Sequence, residues 1–177
     1  QYNIAQQRGG AFKIFQIKQI MITQSTFRNN YAKYREGGIC HLLNIDNLTI
    51  ERLVSINNSA ESSHGGSIFV GKLSHFQMKS SQFLTNRAGQ DGGALIVVGT
   101  KLLHLHDVKF THNAADNSGG ALFLQNMNKF RSIQCRFQYN RASAEGGSLC
   151  LHTGSIFQSL KTEYCNNSAG TGGALFI

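Results

Sequence analysis

The chain has 177 residues, 41% hydrophobic and 15% charged, with no proline or tryptophan, and no linker, low-complexity tract or shift in composition divides it. A multidomain arrangement is excluded on that pattern, and residues 1–177 are expected to form one domain around one continuous core. The 17 basic and 9 acidic residues leave a net charge of +8, but Lys18, Lys72, Lys101, Lys129 and Lys161 fall at differing offsets within the repeat described next, which argues against a dedicated nucleic-acid groove.

Seven Gly-Gly pairs run down the chain, at Gly9-Gly10, Gly37-Gly38, Gly65-Gly66, Gly92-Gly93, Gly119-Gly120, Gly146-Gly147 and Gly172-Gly173, at intervals of 28, 28, 27, 27, 27 and 26 residues. Such a period is the signature of a solenoid, in which one supersecondary unit is copied and each copy touches its neighbours. Ahead of every pair stands an asparagine: Asn3, Asn30, Asn58, Asn86, Asn113, Asn140 and Asn167. Alanine follows each of them two residues later, and Phe27, Ser55, Phe83, Phe110, Phe137 and Tyr164 precede six of them by three.

After each glycine pair the apolar residues alternate, as in Leu95/Val97 and Leu122/Leu124, which predicts a strand. A second apolar run, such as Leu103/Leu105, and the segment opened by the aromatic residue bring the expected count to three short strands per repeat. No 3.6-residue period and no leucine-rich signature is present. The expected fold is therefore all-β: a right-handed parallel β-helix of about seven coils of about 27 residues, its hand following the crossover rule. The chain enters in mid-coil at Asn3 and leaves in mid-strand at Ile177, so it is expected to be an uncapped segment of a longer protein.

Stacked coils turn each recurring residue into a column. An inward asparagine at a bend is expected to bond its own backbone and its copies above and below. The aromatic column is expected to stack in the core, and the glycines to serve a corner that needs positive φ or close backbone approach. These roles are structural, so no catalytic residue and no cofactor is assigned to them. The four cysteines, Cys40, Cys135, Cys150 and Cys165, occupy different registers and form no metal-ligating pattern with histidine. His104, His106 and His75 read as surface residues, so no metal is expected.

Two columns bear on function. The residue before each glycine pair is Arg8, Glu36, His64, Asp91, Ser118, Glu145 and Thr171 in turn. Carboxylates at alternate coils would stand about 9–10 Å apart, near the upper edge of the spacing used by inverting glycosidases, although the uniformly short loops favour polar turn residues instead. Three residues after each pair the outward position becomes apolar, at Phe69, Ile96, Phe123, Cys150 and Phe176. This column is expected as an exposed stripe that docks a protein partner or a neighbouring solenoid.

The alternation of Gly92-Gly93-Ala94-Leu95, Gly119-Gly120-Ala121-Leu122 and Gly172-Gly173-Ala174-Leu175 with Phe83-x-x-Asn86, Phe110-x-x-Asn113 and Phe137-x-x-Asn140 resembles polymorphic outer-membrane protein repeats. Those repeats occur in bacterial autotransporter adhesins, and similar ones in large surface proteins of single-celled eukaryotes. The resemblance spans the chain, with departures at Gly37-Gly38-Ile39-Cys40 and at Ser55. It implies an extracellular or cell-surface β-helix used in adhesion or as a scaffold, within a membrane-anchored or secreted protein. The expected function is thus a non-enzymatic structural or interaction module, and the alternative is a pectin-lyase-like β-helix that binds or cleaves polysaccharide. Glycans are a second partner class, and Asn47, Asn57 and Asn166 are N-glycosylation acceptors if the chain is secreted.

Overall fold

The computed structural model describes residues 1–177 as a parallel β-solenoid without helices. Three sheets run its length: one of seven strands and two of six, every pairing parallel and joining a coil to the next. The incomplete first and last coils leave about six full turns from seven glycine pairs. No helix is long and apolar enough to cross a membrane.

Each full coil contributes a 12-residue strand, such as Leu95–His106, then a 3-residue strand, Lys109–Thr111, and a 2-residue strand, Ala114–Ala115. The two apolar runs expected as separate strands thus belong to one long strand. A left-handed residue bends it in the middle: Gln16, Asn44, Lys72, Gly99, Asn126 and Thr153 stack in one column with φ of 54–64°. A second such column, Gln24, Arg52, Ser80, Asp107, Gln134 and Lys161, ends the long strand, and a third, including Asn29, Asn57, Thr85, His112 and Tyr139, precedes the inward asparagine. The first glycine of each pair forms the fourth corner.

Left-handed backbone costs an L-residue on the order of 1 kcal/mol. Cross-coil hydrogen bonds offset it. The corner N–H of Asn57 donates to Leu84 O at 3.0 Å, that of Thr85 to Thr111 O at 3.0 Å and that of Asp107 to Ile133 O at 3.0 Å. The second glycine of each pair meets a different constraint, because a Cβ on Gly93 would lie 2.0 Å from Gly120 O and 2.5 Å from Ala114 O. One glycine supplies the turn and the other admits the neighbouring coil's backbone.

The inward asparagines are linked in a ladder and are buried from Asn30 to Asn140, while Asn3 and Asn167 lie in the end coils and are more exposed. Asn86 donates both its backbone N–H and its Nδ2 to Asn113 Oδ1 at 3.0 Å, and Asn113 repeats this toward Asn140 at 3.0 Å. Asn113 Nδ2 also donates to Phe83 O at 3.0 Å, so one side chain ties three coils together. The backbone groups it bonds belong to neighbouring coils, where its own backbone was expected. Beside the ladder, Phe83, Phe110, Phe137 and Tyr164 stack at 5.0, 4.8 and 5.1 Å between centroids, within 13° of parallel. Ser55 interrupts this column, but its buried hydroxyl is bonded to Ser67 Oγ at 2.7 Å and to Asn86 Oδ1 at 2.9 Å.

Replacing Asn113 with Ala strands the Asn86 donors, Phe83 O and Asn140 inside the core, and should destabilise the chain by about 3 kcal/mol or more. Equilibrium urea unfolding measures this, and an unchanged midpoint would contradict the ladder's role. Gly93→Ala should be strongly destabilising in the same assay. Gly99→Asn should be tolerated, since Asn44 and Asn126 occupy that column at φ 55° and a Cβ there comes no nearer than 3.9 Å to Lys72 N.

Candidate functional site

The outward column forms in the expected register, with Phe69 opposite Ile96, Ile96 opposite Phe123, Phe123 opposite Cys150 and Cys150 opposite Phe176. It is not an exposed stripe. Ile96, Phe123 and Cys150 are 3%, 7% and 0% exposed and form a small second core with Phe69, Val98 and Phe176 packed against it. The cover comes from the chain itself. Left-handed glycines fold the preceding turn back across this face, so that a Cβ at Gly65 would stand 3.0 Å from Ile96 Cγ2 and one at Gly92 3.2 Å from Ile96 Cβ. Alternation tells which side of a strand a residue occupies, and the corner decides whether that side meets water.

The folded-back turn also places the column before the glycines over this second core. Glu36 accepts from Arg8 Nε at 2.8 Å and lies 3.8 Å from His41 Nε2. Asp91 pairs with His64 at 3.1 Å, and its Oδ1 accepts from Asn117 Nδ2 at 2.7 Å and from the Ser118 N–H at 3.0 Å. Burial pushes both carboxyls up, but these partners outweigh it and hold Glu36 and Asp91 below the usual carboxylate range. Glu36 and Asp91, which the glycosidase alternative would pair, are each bound to neighbouring side chains instead.

His41 occupies the outward column, stacked on Phe69 at 4.8 Å and 9°, with Nδ1 buried and unpartnered. Burial drives its pKa down from 6.5 to about 4, with Arg8 and Lys13 lowering it further and Glu36 opposing them. His104 packs in register between Gln77 and Arg131, and burial with the Arg131 charge lowers its pKa. His75 lies opposite Leu102, out of line with both His104 and His106.

One grouping escaped the sequence reading, which found no metal-ligating pattern. Cys150 and His152 lie on the same face of the long strand Leu149–Leu160, and the turn before Gly146 brings Glu145 across to them. Glu145 Oε2 is 2.9 Å from His152 Nε2 and 3.9 Å from Cys150 Sγ. The three donor atoms lie within 4.8 Å of one another. Cys40, Cys135 and Cys150 are buried thiols and Cys165 is exposed, all unbridged. The spacing Glu-x4-Cys-x-His is the sequence signal, legible only once the glycine corner is known to fold back.

Together these features define a parallel β-solenoid with a covered lateral column. In comparisons with known proteins, no family model, no curated protein and no solved structure matches the chain.

Above about pH 6.5 His41 is neutral in both folded and unfolded chains. As pH falls from about 6.5 toward 4 the unfolded chain takes up the proton first, so its contribution to stability is lost across that window. His41→Phe keeps the stack on Phe69 and should flatten the dependence in that range. Unfolding midpoints measured at intervals from pH 7 to pH 4 in both proteins test it, and parallel curves would contradict the assignment.

Proposed function

We propose that the chain is a non-enzymatic β-helical scaffold or adhesion segment of a larger cell-surface, secreted or membrane-associated protein, serving as a rigid spacer. The observation that carries this reading is the continuous asparagine ladder, which runs from Asn3 to Asn167 and bonds every coil to the next. A rod whose asparagine ladder is unbroken transmits force and holds attached parts at a fixed distance. The resemblance to polymorphic outer-membrane protein repeats supports the cell-surface setting, because the motif residues that carry it, Phe110-x-x-Asn113 and Gly119-Gly120-Ala121-Leu122, are the ones that stack, bond and turn the coil.

The polysaccharide-cleaving alternative needs one carboxyl raised to act as an acid beside one kept ionised. Both Glu36 and Asp91 are lowered. The concave features are depressions lined by six or seven residues each. The scaffold's partners are then a protein, a neighbouring solenoid or glycans, met on surfaces other than the covered column. The basic side chains favour no nucleic-acid track, since Lys129 stands between Leu102 and Ile156 in its ladder.

Duplicating residues 86–112 inserts one whole coil. A scaffold should stay folded, lengthen by about 4.8 Å in small-angle scattering and gain stability. The same protein incubated with acidic and neutral polysaccharides should release no new reducing ends or unsaturated uronates. Turnover that Asp91→Asn or Glu145→Gln abolishes would overturn the proposal.

A further inference from the structure

The geometry points to a divalent metal site of the zinc class, formed by Glu145, Cys150 and His152 and independent of the scaffold reading. Tetrahedral bonds of about 2.3 Å to sulfur and about 2.0–2.1 Å to nitrogen and oxygen put neighbouring donors about 3.3–3.6 Å apart. The separations of 2.9 Å between Glu145 Oε2 and His152 Nε2, and of 3.9 Å between Glu145 Oε2 and Cys150 Sγ, bracket that range. Small side-chain adjustments place all three atoms on one ion, and a fourth position stays open to water or to a partner's donor. Thiolate and carboxylate together balance a charge of +2, and the mixture of sulfur, imidazole and oxygen suits Zn²⁺ and its probe Co²⁺ better than Mg²⁺ or Ca²⁺.

The repeat itself serves as the control. In the two preceding coils the same three positions hold Ser118, Phe123 and Gln125, and Asp91, Ile96 and Val98. Those coils keep the same register with neither cysteine nor histidine at these positions, so coil packing does not demand them here. The site is also preorganised. The Glu145 carbonyl accepts from the Gly119 N–H at 2.8 Å, and the His152 ring lies between Phe123 and Phe176 at centroid distances of 5.3 and 5.6 Å. A metal is bound by the thiolate and not the thiol, so binding at Cys150 releases one proton to solvent.

Co²⁺ titration of the full chain under reducing conditions tests the site. The expected result is a thiolate-to-cobalt charge-transfer band and intense tetrahedral visible bands saturating at one ion per chain, displaced by Zn²⁺. The apparent affinity should tighten as pH rises, because binding displaces the thiol proton. Cys150→Ser and His152→Ala should abolish the bands, Glu145→Gln should weaken binding about tenfold or more, and Cys165→Ser should leave them intact. X-ray absorption of the unmutated Zn²⁺ protein should show one sulfur among nitrogen and oxygen neighbours, which keeps the test independent of how the variants fold. No charge-transfer band, a band lost with Cys165 and kept without Cys150, or a zinc shell without sulfur would overturn the proposal.

Discussion

Every coil of this solenoid must return to the same register as the one beneath it, and the asparagine ladder enforces that return. An Oδ1 that accepts both the backbone N–H and the side-chain amide of the asparagine one coil earlier fixes two chain segments at once. A slip of one residue would orphan polar groups of asparagines that are almost fully buried, which makes misregister far costlier than the loss of any one apolar contact. The aromatic stack and the long parallel sheet are then placed, because both need equivalent residues directly above one another.

That registration also accounts for the number of left-handed residues. Eighteen non-glycine residues have positive φ, including Thr85 and Thr153, whose branched side chains disfavour it. At three of the four corner columns the N–H of the corner residue is directed at a carbonyl of the adjacent coil. Corner cost and ladder gain are thus coupled, and a coil detached from its neighbours would keep the strain without the bonds. Ser55 shows how much variation the frame accepts: the aromatic is replaced by a hydroxyl, and Ser67, Asn58 and Asn86 absorb its polarity.

The glycine, asparagine and aromatic columns were legible in the sequence because each depends on one residue type with one physical property. The bends at Asn44, Lys72 and Thr153 and at Arg52, Ser80 and Lys161 were not, since the left-handed backbone there falls on residues that share no common side chain. The outward column of Phe69, Ile96, Phe123, Cys150 and Phe176 was placed in the correct register and given the wrong environment. Period-two alternation carries no information about a turn folding back over the strand. The same fold-back hid the approach of Glu145 to Cys150 and His152, which share a face of the strand only four or more residues beyond the corner.

Amide hydrogen exchange on the folded chain tests the ladder most directly. The backbone N–H groups of Asn58, Asn86 and Asn113, which donate to side-chain oxygens and not to a sheet, should exchange as slowly as those of the long strand Leu95–His106, through the same global opening. Fast exchange of those asparagine amides while the long strands stay protected would show that the ladder opens on its own and does not set the register of the coils.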